Sequence, residues 1–411
     1  MRIIFLSPSG NLGGAEVALL NILASLRAAQ PEWELELIVS EAGAVAAGAA
    51  ALGVFTTVLP FPDQLARLGD ASVGLDEIAG RLRLLRQSGF ATPAVAGYVS
   101  RLRRLLRQRA PDVVHTNGFK MHLLGALAKP RATPLVWHIH DYVQPRPMMA
   151  KLMKLSRQRC DLALVNSNSV GRDVAQACGA GLSIRTIYNG IDTRVFAPGG
   201  GRLDLDSLAG LSAPAPAIIR VGMLATMARW KGHEVFLRAL SLIDPEFPLR
   251  GYVIGEALYQ TDGSQTSVAA LKAVAQRLGL AERVGFTGFV AEPAAAIRSL
   301  DIVVHASTQP EPFGLVIVEA LACGRAVIVS EGGGAAELIQ TENGNGPIAL
   351  THPPGNAEQL AACIKQLATD PHLRERLGAA GRASATERFN ATRLGTELAP
   401  IYRKLVGRTR H

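Results

Sequence analysis

Pro214-Ala-Pro-Ala-Ile-Ile-Arg-Val-Gly222 sets two prolines directly before a short apolar run. Proline cannot continue a helix or sit in a central strand, whereas Ile-Ile-Arg-Val-Gly reads as a buried strand. With Pro198-Gly-Gly-Gly201 upstream, Asp192 to Pro216 has the composition of a linker. A second domain therefore starts near Ala217.

Outward from this break, short apolar runs alternate with helical patterns. Strands are expected at Arg2–Leu6, Glu34–Ser40, Val54–Leu59, Asp112–Thr116, Leu135–Ile139 and Leu162–Asn166. The second half continues with Ala217–Gly222, Arg250–Ile254, Val284–Gly288, Ile302–Ala306 and Ala326–Ser330. Such alternation is the signature of parallel sheets wound with helices. The fold class expected is α/β, with two doubly wound, Rossmann-like domains at 1–195 and 217–386 joined by a linker at 196–216. Ligands bind at the carboxyl ends of strands in such sheets, so a cleft drawing residues from both halves is expected.

Composition excludes other classes. At 411 residues, 48% hydrophobic and 19% charged, the chain is too apolar for disorder and too interrupted by charge for a fibre. The longest uncharged stretch, Ala42 to Pro62, is rich in Ala and Gly and reads as helix, turn and strand, not a membrane span. The first apolar run, Met1 to Leu6, is too short for a signal peptide. Cys160, Cys178, Cys323 and Cys363 show no CxxC pairing, so neither disulfides nor a metal site is expected. The expected location is cytoplasmic, with a peripheral place on the inner face of the cell membrane as a variant.

Charge is unevenly spread. Between Arg81 and Cys160 sixteen Lys or Arg face two acids, so that segment carries +14 and the rest −5 against a total of +9. In Val99 to Arg109, Val99, Leu102, Leu105 and Leu106 share a helical face, and arginines 101, 103, 104, 107 and 109 take the other positions. Residues 81–159 thus suit either an anionic membrane surface or an ordinary solvated helix face. Nucleic acid is disfavoured, because no aromatic residues interleave with the arginines.

Four stretches carry the chemistry. Gly13 and Gly14 follow the first strand at the start of a helix, where backbone N–H groups favour an anion or simply make a tight turn. In Val136-Trp-His-Ile-His-Asp-Tyr142, His138 and His140 share one side of a strand end. Lys231, followed by Gly232, opens a helix as a mobile point charge. In Glu311-Pro-Phe-Gly-Leu-Val-Ile-Val-Glu319, Gly314 marks a loop turning into a helix. Two carboxylates around a Pro-Phe-Gly turn can flank one extended ligand, such as a diphosphate joining two polyhydroxylated rings.

Together these residues resemble a retaining glycosyltransferase of family 4, with the GT-B architecture. The resemblance spans nearly the whole chain. It rests on the Glu311-x7-Glu319 motif, supported by Gly13-Gly14-Ala-Glu16, His140-Asp141, Asn189-Gly-Ile-Asp192, Lys231-Gly232 and Phe286-Thr-Gly-Phe-Val290. It implies sugar transfer from a nucleoside-diphosphate sugar, UDP-hexose or GDP-mannose, with retained configuration and without metal or cofactor. His140, Glu311 and Lys231 become the catalytic candidates. Glu319 is implied at the ribose, Glu311 at the sugar, and Lys231 with the amides of Gly314 and Leu315 at the diphosphate. Gly13 and Gly14 lie near the phosphates, Phe289 and Val290 by the base, and Phe313 lines the donor site. Many members carry Arg where this chain has Met223, so Arg220 or Arg229 is expected to supply that charge. The segment 387–411 is implied to cross back to the first domain.

The acceptor is expected to be a glycan or lipid-linked molecule of cell-surface polysaccharide or lipopolysaccharide assembly. Other readings are a GT-B epimerase or phosphorylase and a non-catalytic sugar-binding scaffold. Retention of both Lys231 and Glu311 argues against the scaffold.

Overall fold

A computed structural model describes residues 1–66, 78–213, 217–257, 265–340 and 346–409, with 78–92 as backbone. Pro214-Ala-Pro216 and the side chains of Arg81, Arg83 and Arg86 lie outside the described residues. Two compact units form: Met1–Gly190 with Ala391–His411, and Ile191–Asn390.

The first unit opens with β1 (Arg2–Ser7), α1 (Gly14–Ala29), β2 (Glu34–Val39), α2 (Ala44–Ala51) and β3 (Phe55–Val58). Then come α3 (Asp63–Ala66), α4 (Ile78–Arg109), β4 (Val113–Asn117), α5 (Phe119–Ala128) and β5 (Leu135–Ile139). It continues through α6 (Pro147–Ser156), β6 (Leu162–Val165), α7 (Asn168–Cys178) and β7 (Ile184–Thr186). The sheet order is β3-β2-β1-β4-β5-β6-β7, every pairing parallel. Strands β1, β4, β5 and β6 are almost wholly buried because helices cover both faces, which is why they read as unbroken apolar runs. Side chains of α4 to α7 fill the core on one face; α1 and α2 fill the other.

The second unit contains α8 (Leu205–Ala209), β8 (Ile219–Leu224), α9 (His233–Ser241), β9 (Leu249–Ile254) and α10 (Val268–Arg277). After these lie β10 (Val284–Gly288), α11 (Pro293–Arg298), β11 (Ile302–His305), α12 (Leu315–Ala322) and β12 (Ala326–Ser330). The unit closes with α13 (Gly333–Leu338), β13 (Leu350–His352), α14 (Ala357–Thr369) and α15 (Pro371–Arg388). Its sheet runs β10-β9-β8-β11-β12-β13, again parallel throughout. The final helix, α16 (Arg393–Thr409), belongs to the first unit. It packs on α1 and buries Leu394, Leu398 and Tyr402 there, with the Tyr402 hydroxyl 2.8 Å from His115 Nδ1.

Each sheet reverses its winding once, between β1 and β4 and between β8 and β11. At such a reversal the loops diverge and leave a crevice at the carboxyl ends of the strands.

Two features of the fold were not legible in the sequence. The described part of the expected linker, 196–213, is held by hydrogen bonds. Arg298, buried, donates to the carbonyls of Gly201 at 2.7 Å and Val195 at 3.1 Å, and Arg382 donates to Phe196 O at 2.9 Å. Those guanidinium groups need acceptors, and this backbone supplies them, so the segment packs as part of the second unit. The short strands β7 and β13 were also missed; three residues each carry too little apolar pattern to register.

Candidate functional site

In the second unit, the loops after β8 and β11 flank the winding reversal. After β8 the chain makes a single 3-10 turn, Arg229–Lys231, and Gly232 then caps α9. Gly232 has φ +81°, and a Cβ there would lie 1.9 Å from Ala306 O. Only glycine lets the two loops approach this closely. Their contact is fixed by Thr308 N donating to Trp230 O at 2.7 Å.

This approach brings together two residues eighty positions apart. Lys231 Nζ donates to Glu311 Oε1 at 2.9 Å and Oε2 at 2.8 Å. The ammonium also sits 4.1 Å from the centre of the Trp230 ring. Glu311 is itself buried, and Ser307 Oγ donates to its Oε2 at 2.9 Å. His305 Nε2 lies 3.3 Å from the same oxygen and 3.0 Å from Ser307 Oγ. Burial alone would raise the Glu311 carboxyl. The Lys231 charge and the His305 hydrogen bond overcome that, and Glu311 stays ionised well below the usual carboxylate range.

Three residues past Glu311, Gly314 adopts φ +92° and caps α12. A Cβ there would stand 2.8 Å from Ile317 Cδ1. The amides of Leu315 and Val316, the first two of α12, have no intrahelical acceptor and point out of the helix start, whereas Ile317 N donates to Gly314 O at 3.0 Å. Glu319 lies on the second turn of α12, half-buried, with no hydrogen bond or ion pair to its carboxylate among the described residues. Desolvation pushes it up to about 7. Two carboxylates of one motif therefore differ sharply: Glu311 is paired and ionised, Glu319 unpaired and poised near neutrality.

In the first unit, Gly13 and Gly14 form the amino end of α1 beside the β1–β4 reversal. Asn117, at the end of β4, donates from Nδ2 to Ala15 O at 3.4 Å and accepts at Oδ1 from His140 Nε2 at 2.6 Å. His140 follows β5, and its carbonyl accepts from Asn166 Nδ2 at 3.1 Å. Burial lowers its ring to about 4, so it is neutral at pH 7, with the proton on Nε2 and a buried Nδ1 that has no partner among the described residues. His138 does share its side, with ring centres 4.0 Å apart, but is fully enclosed in the core.

The structure thus gathers Lys231, Glu311, Gly314 and Leu315 at one crevice, with Arg229 exposed on the same turn as Lys231. Phe289, 63% exposed, and Val290 follow the carboxyl end of β10. Two candidates are displaced. Arg220 is the second residue of β8, at the amino end of the sheet, where it donates to Asp206 Oδ2 at 3.1 Å and lines a separate cavity of about 660 Å³. The strand's length separates it from Lys231, so it cannot supply the missing charge. Met223 is buried in the core, leaving Arg229 as the nearby arginine. Phe313 is also buried, its ring 6.1 Å from that of Phe389, and it wedges the loop instead of lining a ligand surface. Sequence reading missed Asn117, His305 and Ser307. The signal was there: Asn117 and His305 each end an apolar strand with a polar side chain, and Ser307 follows two residues past the second.

Residues 12–195 match glycosyltransferase family 4, and residues 218–384 match the family described as glycosyl transferases group 1. The chain belongs to the group 1 glycosyltransferases of the GT-B fold. Anabaena HepE, solved in complex with UDP-glucose, is 26% identical and superposes with a TM-score of 0.75 over 98% of this chain and 100% of its own. A D-inositol 3-phosphate glycosyltransferase of Xylanimonas cellulosilytica is 29% identical over 71% of this chain and 71% of that protein. The sulfoquinovosyl transferase of Arabidopsis thaliana is 27% identical over 68% of this chain, a match that spans 54% of the plant protein's length.

Proposed function

We propose that this glycosyltransferase binds a nucleoside-diphosphate sugar, with UDP-hexose preferred to GDP-mannose, in the crevice of the second unit and transfers the sugar with retention. The observation that carries the reading is the Lys231–Glu311 pair set at the winding reversal, beside the open amides of α12. The choice of UDP is supported by the likeness to HepE, whose structure holds UDP-glucose.

Glu319 takes the ribose hydroxyls, for which an unpartnered carboxylate is suited, and the base lies by Phe289 and Val290. The diphosphate draws Lys231 away from Glu311 and sits against the amides of Gly314 and Leu315. Glu311, still held by Ser307 and His305, is then free to accept hydrogen bonds from the sugar. As the bond from the anomeric carbon to the phosphate oxygen breaks, negative charge grows on the leaving diphosphate. Lys231, once drawn from Glu311, stabilises this charge with the α12 amides and the neighbouring Arg229, without a metal ion. The acceptor hydroxyl attacks the same face, forming the new carbon–oxygen bond while its proton passes to the departing phosphate oxygen. A trapped covalent sugar–enzyme species would refute that route.

The acceptor, a glycan or lipid-linked molecule of cell-surface assembly, is assigned to the first unit. There Asn117 and the neutral His140 link the ends of β4 and β5 to the start of α1. Thermal-shift titration with a panel of nucleotide sugars tests the donor: about 2.7 kcal/mol of stabilisation is expected at a hundredfold excess over the Kd of the true one. Equal, negligible shifts across the panel would sink the proposal, as would loss of turnover in chelator.

A further inference from the structure

In the first unit, α6 carries apolar residues on two sides. Met153 faces inward and is fully buried. Met148, Leu152 and Leu155 face outward, 59%, 40% and 73% exposed, and their spacing of four and three residues aligns them in one stripe. Lys151 and Lys154 are exposed along one edge of it, and Arg159 is exposed just past the helix end. An exposed apolar stripe on a helix that is otherwise docked marks an interaction surface.

Charge identifies the occupant. From residue 93 to residue 178 the acids are Asp112, Asp141, Asp161 and Asp173, and each is engaged. Asp112 accepts from Arg2 N at 2.8 Å, and Asp141 pairs with Arg146 at 2.6 Å. Asp161 accepts from Leu135 N at 2.8 Å, and Asp173 from the amides of Val143 and Gln144. Among the described residues the exposed cations have no acidic partner: Arg101, Arg104 and Arg107 of α4 join those of α6 on the helical layer they share. Among the described side chains of α4, from Pro93 on, no large apolar residue is exposed for insertion, because Val99, Leu102 and Leu106 are in the core.

We propose that α6 docks on an anionic bilayer, seating Met148, Leu152 and Leu155 at the acyl boundary while Lys151, Lys154 and Arg159 meet lipid phosphates. No helix among the described residues is long and apolar enough to cross a membrane, so the attachment is to the surface. Helix α6 begins seven residues after His140, so docking brings the carboxyl edge of the first sheet to the bilayer. A lipid-anchored acceptor would be met there; that consequence rests on the proposed function, whereas the docking does not.

The test is co-sedimentation of the full chain with vesicles of phosphatidylcholine alone or mixed with phosphatidylglycerol. Binding is expected only to the mixed vesicles. Leu152→Ser/Leu155→Ser should lower the partition coefficient about tenfold or more, and each of Lys151→Gln and Lys154→Gln roughly fivefold. All four positions are exposed, so unchanged melting temperatures should show the variants folded. Absence of binding, or binding indifferent to the α6 variants, would overturn the proposal. So would a concentration-dependent dimer abolished by Leu155→Ser, which would assign the stripe to a second copy. Donor binding measured without vesicles reports on the catalytic reading separately.

Discussion

Donor affinity should depend on pH through Glu319 alone. The unliganded carboxyl titrates near 7 because it is desolvated and unpartnered. A ribose that donates to it stabilises the ionised form, so the binding-competent fraction is the ionised fraction. For such a group that fraction is about 0.9 at pH 8 and about 0.09 at pH 6, and apparent affinity falls by the same ratio, roughly tenfold or 1.4 kcal/mol. The diphosphate of a nucleotide sugar is esterified at both ends and does not titrate in this range. Calorimetric titration of UDP-glucose at both pH values measures the ratio. Repeating the pH 6 titration in buffers of different ionisation heat should show close to one proton released per donor bound. Glu319→Gln should bind as weakly at pH 8 as at pH 6 and release no proton. A flat wild-type profile, or a Gln variant that keeps the slope, refutes the reasoning. Because folding raises this pKa from 4.5 to about 7, Glu319 stabilises the unliganded fold fully below the lower value and loses that contribution as pH rises through the upper one. The Gln variant should lack this slope in thermal melts.

Other outcomes follow from the same geometry. Lys231→Ala should abolish donor hydrolysis and also destabilise the fold by about 3–5 kcal/mol, since it leaves Glu311 as a buried, unbalanced charge. Lys231→Ala/Glu311→Ala should recover much of that stability in denaturant titration without recovering activity. Folding depresses the Glu311 pKa, so its contribution is present above the normal carboxylate range and lost as pH falls below it; acid-unfolding curves should flatten in Lys231→Ala. Gly232→Ala should cost at least about 1–2 kcal/mol from its positive φ, more from the clash with Ala306 O, and should raise the donor KM by displacing Lys231. Arg229→Ala should raise the donor KM, whereas Arg220→Ala should leave KM unchanged and cost about 1 kcal/mol of stability, because Arg250 and Tyr252 still hold Asp206.

Much of this protein was legible along the chain because parallel strands buried on both faces must be continuous apolar runs. Ile3 to Leu6 and Ile302 to Val304 announce themselves without reference to any partner. The Glu311-x7-Glu319 motif was legible for a similar reason: Gly314 must turn the chain between Glu311 and Glu319, and that turn is local. The packing of the linker was not legible because glycine and proline report on backbone freedom, not on whether a distant Arg298 or Arg382 needs carbonyl acceptors. Arg220 was misplaced for a related reason. Its number is close to that of Lys231, but a strand separates the two, and only strand direction says which end faces the ligand.

The sequence by itself determined two wound sheets, the Gly-capped turns and the identity of the charged groups, because those follow from contacts within a few residues. Only the tertiary structure decided that Lys231 neutralises Glu311, that Ser307 and His305 anchor it, and that Glu319 goes unpartnered. It also decided which helix turns its leucines outward. Pairing and exposure depend on which loops and helices the winding order makes neighbours, and no local pattern encodes that order.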